Sequence, residues 1–203
     1  KLKTYCYHII APVEGRLAVG DIGSGKIPAE ETLLEHILLH LAKEKDLKGR
    51  RVLITAGPTQ EPIDPVRCIT NHSSGKMGYG IAKMAVLRGA EVTLVSGPVA
   101  IQPFTGIKKV SVTTAQEMFD AVTTRSQDQD IIIMCSAVAD YTPSHCSSQK
   151  MKKGDDDLNI PLSRTKDILQ YLGDQKPKGQ ELVGFSMETE NLLENSKAKL
   201  MKK

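Results

Sequence analysis

The pattern of apolar and polar positions along the chain predicts strands that alternate with helices. The strands are predicted at 52–55, 91–95, 108–112, 130–135 and 182–185, with a short edge strand at 158–161. The helices are predicted at 75–88, 114–126, 166–172 and 191–203. A near-continuous apolar run such as 130–135 is typical of a parallel strand buried on both faces. The order therefore predicts an α/β, Rossmann-like fold with a mostly parallel sheet and helices on both faces, in three layers.

Single residues mark where three of these helices begin or end. Gly89 is a suitable C′ residue for the helix at 75–88, and Gly173 is expected to end the helix at 166–172. Thr114 and Glu117 have the spacing of a capping box at the start of the third helix.

The first 48 residues differ in character from the rest of the chain. Residues 15–25 contain four glycines and too little apolar surface to form a core alone. A helix at 30–45 follows, with Leu34, Ile37, Leu38 and Leu41 on one stripe that needs a partner surface. A polar linker then predicts a domain boundary near residue 48, which divides the chain into 1–48 and 49–203.

Composition predicts a soluble globular protein, with 40% hydrophobic residues, 25% charged residues and a formal charge of +3. This charge and the 4% aromatic content argue against a nucleic-acid binder. No apolar run approaches the roughly 20 residues that span a bilayer, so we expect no membrane association. The four cysteines form no CxxC pair, which favours a reducing, cytoplasmic location over a zinc ribbon or a disulfide framework. They are Cys6, Cys68, Cys135 and Cys146.

Candidate chemistry begins between the first strand and the helix after it, where the chain reads NHSSG from Asn71 to Gly75. A carboxamide, the hydroxyls of Ser73 and Ser74, and free N–H groups at a helix start can hold a phosphate or a developing oxyanion. The alternative is an ordinary Ser or Asn helix cap. We assign no role to His72.

Asp140 lies five residues beyond the buried strand, at the sheet edge where open α/β folds bind ligands. Its carboxylate can accept a hydrogen bond from a ribose or base, or hold a hydrated Mg²⁺, or serve only in a turn. It lies in the polar segment 136–157, which we expect to be a mobile loop or lid.

Lysines form two further candidate groups. Lys150, Lys152 and Lys153 in the polar segment are candidates for closing over a phosphate, or they form a solvated face. Lys199 and Lys203 lie four residues apart and share a face of the last helix, where the helix dipole alone would also favour them.

The chain lacks the usual nucleotide, metalloprotease and hydrolase fingerprints. Four runs nevertheless resemble the phosphopantothenate–cysteine ligase (phosphopantothenoylcysteine synthetase) domain of the bifunctional bacterial coenzyme A biosynthesis flavoproteins. They read ITAGPTQEPIDPVRCITNHSSGKMG, SAVADY, KMKK and VGFSMETEN. The resemblance extends from residue 48 to residue 203. The run EGRLAVGDIGSGKIPAEETL resembles the glycine-rich clamp at the end of the preceding decarboxylase half.

The resemblance implies a CTP-dependent reaction. CTP activates the carboxylate of 4′-phosphopantothenate as an acyl-cytidylate, and cysteine then displaces CMP. Asn71 would hold the acyl-cytidylate, and Lys150 would serve the cysteine step; Ser73, Ser74 and Gly75 remain phosphate-binding candidates from the residue pattern alone. The implied CTP contacts are Asp140, Lys150, Thr165, Lys166, Asp167, Ile168, Phe185, Lys199 and Lys203. Mg²⁺ is the implied metal, with Asp140 as its candidate ligand, and the full-length protein is expected to form a dimer.

The chain departs from the family pattern at three places. Val19 stands where the decarboxylase clamp has its cysteine, and the FMN-binding part of that half is missing, so we predict FMN only with the decarboxylase half. The run from Thr165 to Ile168 replaces an NPDI-like run. The sequence stops at Lys203, before the point where the family has a further strand and its dimer-forming region.

Two other functions are compatible with this pattern. A Rossmann-type oxidoreductase would need a GxGxxG turn and an acidic residue after the second strand, but Val95-Ser96-Gly97 supplies neither. A non-catalytic remnant of a larger flavoprotein is the other alternative.

Overall fold

The structure, a computed structural model, describes residues 2–5, 7–17, 20–153, 157–187 and 194. The strands are β1 (Val13–Arg16), β2 (Ile22–Lys26), β3 (Arg51–Ala56), β4 (Gln60–Pro62), β5 (Cys68–Thr70), β6 (Glu91–Ser96), β7 (Lys108–Ser111), β8 (Ile131–Met134), β9 (Tyr141–Pro143), β10 (Leu162–Arg164) and β11 (Glu181–Gly184). The helices are α1 (Glu30–Leu41), α2 (Lys76–Leu87), α3 (Ala115–Ser126) and α4 (Ile168–Gln175), after a 3₁₀ turn at Leu2–Tyr5.

Five strands form one parallel sheet in the order β11-β8-β3-β6-β7. The chain leaves β3 toward β6 and β7, then crosses back to β8 on the other side of β3. The strand order therefore reverses between β3 and β8, and open α/β sheets bind ligands beyond the carboxyl ends of the strands at such a switch point.

Side chains of β3 alternate between the two faces of this sheet. Val52 and Ile54 belong to a buried cluster that includes residues of α2, whereas Leu53 belongs to a second cluster with residues of α3 and α4. All three are at most 1% exposed. The predicted Rossmann-like fold with helices on both faces of the sheet is confirmed.

Residues at the ends of α2 and α3 adopt the conformations and hydrogen bonds that begin or end a helix. Gly75 and Gly89 flank α2 with φ angles of 75° and 91°, a region that glycine adopts without strain. Thr114 Oγ1 caps α3 by accepting from Glu117 N at 3.1 Å. The Glu117 carboxylate accepts from Thr113 N at 2.6 Å, one residue earlier than in the usual capping box.

Three predicted boundaries were wrong. The first helix ends at Leu41 rather than near residue 45. The strand expected at 158–161 is β10, at Leu162–Arg164. The helix expected at 166–172 is α4, which starts after the N-cap Asp167 and continues through Gly173. A single glycine costs a helix only about 1 kcal/mol, and burial of Leu172 offsets it.

Helix α1 packs through a different row from the predicted stripe. Leu38 and Leu39 contact the cluster around α2, while Leu34, Ile37 and Leu41 are 55%, 52% and 78% exposed. The predicted stripe therefore has only one of its four members against this surface.

Short antiparallel pairs occupy the segments that were predicted as loops. They are β1-β2, β4-β5 and β9-β10, with strands of three to five residues. The prediction of an unpacked loop or lid at 136–157 was therefore wrong for residues 136–143, which include β9 and are largely packed, whereas residues 144–153 are irregular and mostly exposed. Val19, Lys199, Lys203 and all of 191–203 except Glu194 lie outside the described residues. Among the helices that the structure describes, none is long and apolar enough to cross a membrane.

Candidate active site

Buried hydrogen bonds fix the chain where β3 and β8 end. Thr55 Oγ1, which is fully buried, accepts from the backbone N–H groups of Cys135 and Ser136 at 3.0 and 3.1 Å. Beyond the strands, Ala137 N donates to Gly57 O at 2.9 Å and Thr59 N donates to Ala137 O at 3.2 Å. The two loops at the switch point therefore form one rigid unit.

The start of α2 packs directly on this unit. A Cβ on Gly75 would lie 3.3 Å from Gly57 N, so the close approach of the helix requires glycine there as well as at a positive φ. No side chain of the described residues caps α2, and Ser74 Oγ is a marginal 3.5 Å from Lys76 N. The first N–H groups of the helix are therefore not used by an ordinary Ser or Asn cap.

Asn71 joins this helix start to the loop after β8. Its Nδ2 donates to Ala137 O at 3.2 Å and to Val138 O at 3.3 Å. Because both amide hydrogens are engaged, the carboxamide oxygen is the atom that can face a ligand, and the residue acts as an acceptor there.

A cavity of about 670 Å³ lies at the carboxyl ends of β8 and β11, beside the start of α4. Six of the residues that were predicted to contact the nucleotide line it: Asp140, Thr165, Lys166, Asp167, Ile168 and Phe185. The other predicted site residues among those described do not line it; they are Asn71, Ser73, Ser74, Gly75 and Lys150. Asn71 nevertheless bonds to Val138, which lies in the cavity wall.

Pairing of β9 with β10 brings the distant lining residues together. Tyr141 lies opposite Arg164, and Thr165 N donates to Asp140 O at 3.0 Å. Thr165 Oγ1 also donates to Ala139 O at 2.6 Å. Thr165 therefore holds the two walls together rather than offering its hydroxyl hydrogen to a ligand.

The remaining lining residues offer different chemistry. Phe185 is half exposed and follows β11, a position where its ring can stack on a planar group. Lys166 Nζ lies 4.7 Å from the centroid of the Phe119 ring, a cation–π distance. Asp167 accepts a hydrogen bond from Gln170 N at 3.0 Å and so caps α4.

Sequence reasoning missed several lining residues, among them Ser136, Tyr141 and Arg164. The Oγ atom of Ser136 is buried and bonds to no atom of the described residues. Buried hydroxyls are rarely left without a partner, which makes Ser136 a candidate ligand contact. Its position at the end of the buried strand, where the run SAVADY begins, could have indicated Ser136.

Cys135, next to the end of β8, does not line the cavity, and burial raises the pKa of its thiol. Within the described ranges, no group of three or more His, Cys, Asp or Glu side chains is placed to hold a metal ion. Asp140 and Asp167 both line the cavity, and one or two carboxylates suffice for a Mg²⁺ that keeps waters and phosphate oxygens as its other ligands.

Comparison with known proteins identifies the family to which the chain belongs. Residues 47–203 match the family model described as the DNA/pantothenate metabolism flavoprotein C-terminal domain. The crystal structure of the C-terminal domain of the coenzyme A biosynthesis bifunctional protein CoaBC matches with a TM-score of 0.68 and 49% identity. That match covers 77% of this chain and 74% of the other.

Two curated relatives match over nearly the whole chain. CoaBC from Bacillus subtilis (strain 168) is 44% identical over 202 residues, which cover 98% of this chain and 49% of the relative. A cysteine/cysteine sulfinic acid decarboxylase from an unknown prokaryotic organism is 44% identical over an alignment of 207 residues. The alignment covers 100% of this chain and 58% of the relative. The chain thus spans about half the length of these relatives.

Proposed function

Because the chain belongs to the family of DNA/pantothenate metabolism flavoprotein C-terminal domains, we propose that it joins 4′-phosphopantothenate to L-cysteine at the expense of CTP. We assign this activity to residues 49–203 and treat residues 1–48 as the end of a decarboxylase domain with its linker. The relatives named CoaBC support a role in coenzyme A biosynthesis.

One observation carries the proposal, namely the cavity beside the switch point. Six residues that were expected to contact a nucleotide, from three separate segments of the chain, line this single cavity of about 670 Å³. The volume lies within the range of about 300–1,000 Å³ that is common for small-molecule sites. The Asn71 carboxamide adjoins the cavity through its bond to Val138, and the uncapped start of α2 follows Asn71 by five residues.

The proposed reaction has two displacements. A carboxylate oxygen of phosphopantothenate attacks the α-phosphorus of CTP, and pyrophosphate leaves. The cysteine amine then attacks the acyl carbon, CMP leaves, and the amine loses a proton as the amide forms.

Residues of this chain would bind and orient the reactants. The N–H groups at the start of α2, with Ser73 and Ser74, would hold phosphate oxygens. Phe185 would stack on the cytosine, and Arg164 would balance phosphate charge. The Lys150 ammonium would stabilise negative charge during the attack by cysteine. Lys199 and Lys203 are proposed as further CTP contacts.

A magnesium ion bound with CTP would neutralise phosphate charge, and Asp140 and Asp167, which both line the cavity, are the residues that we propose would hold it. The active form is proposed to be a dimer in the cytoplasm. FMN is expected only with a decarboxylase half.

Pyrophosphate release tests the proposed function. Release should require CTP and phosphopantothenate, and amide formation should require cysteine as well. CTP should also raise the melting temperature, whereas NAD should leave it unchanged. Stabilisation by NAD alone would favour an oxidoreductase domain, CO₂ release from cysteine would favour the activity named for the decarboxylase relative, and no response to any substrate would favour a non-catalytic remnant.

A further inference from the structure

A buried carboxylate outside the cavity, Asp64 in the loop between β4 and β5, has an unusually complete set of partners. Its side chain is fully buried. One oxygen accepts from the backbone N–H groups of Val66 and Arg67, both at 2.8 Å. The other accepts from Arg67 Nε at 3.0 Å, from Arg67 Nη2, and from Met151 N at 3.1 Å. The last bond reaches a residue 87 positions away.

The Asp64–Arg67 ion pair holds Met151 by both of its backbone polar groups. While Asp64 accepts from Met151 N, Arg67 Nη2 donates to Met151 O at 3.0 Å. A second tie lies four residues earlier, where Ser147 N donates to Ile63 O at 2.9 Å. The segment 147–151 is thus bonded near both ends to the loop 63–67.

Lys150 lies between these two ties. Its side chain is exposed, so the ammonium can move, but its backbone is joined directly to the bonded Met151. The ion pair therefore fixes the position of the backbone next to Lys150, and this position limits where the Lys150 ammonium can lie.

We propose that Asp64, acting together with Arg67, is a positioning residue for Lys150, through its hold on Met151. This role rests on the proposed function, in which Lys150 serves the cysteine step. Asp64 touches no reactant; it restricts where the ammonium can lie.

The chemistry of the pair suits this role. The hydrogen bond from Arg67 holds the pKa of the Asp64 carboxyl well below its usual range, so the carboxylate is ionised at neutral pH. A planar guanidinium can span a carboxylate and a carbonyl at once, which a lysine ammonium does less well. Arg88 also donates two hydrogen bonds to one carboxylate, that of Asp46, but this pair is 44% and 43% exposed and makes no described hydrogen bond to segment 147–151. It serves as a matched control.

Trypsin tests the hold on Met151 without any substrate, because Lys150, Lys152 and Lys153 are cleavage sites in or beside the segment. Asp64→Asn removes the charge, and cleavage there should become about fivefold faster or more, since cleavage follows the population of the open loop. Asp46→Asn should leave it unchanged. Equal cleavage rates of wild type and Asp64→Asn would show that the ion pair does not restrain the segment at Met151.

A double-mutant cycle tests the positioning role. In a single turnover, Asp64→Asn should slow the cysteine step on the order of tenfold to a hundredfold, while first-turnover pyrophosphate release stays near normal. Asp64→Asn combined with Lys150→Gln should be no slower than Lys150→Gln alone. Losses that multiply in the double variant, or a normal rate in Asp64→Asn, would overturn the role.

A second variant, Arg67→Gln, replaces Asp64→Asn if that protein does not fold. Arg67→Gln removes the bond to Met151 O and enters the same two experiments with the same expected results. If wild type makes no product, the proposed function and the positioning role both fail, whereas the trypsin comparison still decides whether the ion pair holds the segment.

Discussion

The side-chain amide of Asn71 donates a hydrogen bond to the carbonyl oxygen of Ala137, 66 residues later in the chain, with an N···O distance of 3.2 Å. The N–H group of Ala137 in turn donates to the carbonyl of Gly57. Three segments that are distant in sequence therefore meet at the switch point. This contact makes Asn71 part of the site's framework as well as a candidate ligand contact.

Asn71→Asp should slow formation of the acyl-cytidylate. The substitution removes two donors and sets a carboxylate against the carbonyls of Ala137 and Val138 and near the proposed phosphates. First-turnover pyrophosphate release measures the effect, and the two lost donors together with the new repulsion predict a decrease of about tenfold or more. His72→Ala, a change at the exposed neighbour, should have normal release. A normal Asn71→Asp enzyme would remove Asn71 from the site.

Thr55→Val should destabilise the switch point. The substitution leaves the N–H groups of Cys135 and Ser136 without their acceptor, which should lower the free energy of unfolding by about 1–3 kcal/mol. Urea unfolding measures it. The control is Thr124→Val on the exposed side of α3, where the change should stay within about 0.5 kcal/mol. Equal stability of the two variants would contradict the account of a rigid unit.

Ser136→Ala should separate stability from binding. The buried hydroxyl has no partner among the described residues, so its removal should leave the melting temperature of the ligand-free protein unchanged or higher. The dissociation constant for CTP should rise about fivefold to tenfold. Ser163→Ala, outside the cavity, should bind CTP normally. Normal CTP binding by Ser136→Ala would show that the hydroxyl does not contact the nucleotide.

Lys150→Gln should accumulate the acyl-cytidylate. Activation of the carboxylate precedes the step that the ammonium stabilises, so CTP should still be consumed in the first turnover. Lys152→Gln and Lys153→Gln should be milder. Rapid quench with labelled phosphopantothenate measures the intermediate, and product formation at the normal rate in Lys150→Gln would exclude Lys150 from the cysteine step.

The sheet and its main helices could be predicted because they bury long, regular runs. The strand with Leu53 and Ile54 and the strand with Ile132 are continuous apolar segments, and Gly89 and Thr114 mark helix ends locally. Such signals depend only on neighbouring residues.

The rest depends on contacts between distant residues. The pairs β4-β5 and β9-β10 have three-residue strands, too short for a periodic pattern, and the second pair is what places Arg164 opposite Tyr141. Asp64 bonds to Met151 and Asn71 bonds to Ala137, and each of these partners lies more than 60 residues away in the chain. No local pattern can therefore indicate them. Composition described the segment 136–157 as polar but gave no sign of its ties to Ile63 and Asp64.

The most direct test of the central claim is a single turnover with CTP and phosphopantothenate but no cysteine. The account predicts one equivalent of pyrophosphate and one of phosphopantothenoyl-cytidylate per active site, and subsequent addition of cysteine should convert the intermediate to the amide and CMP. A folded protein that binds CTP yet releases no pyrophosphate with the acid, or that forms the amide without a cytidylate, would contradict it.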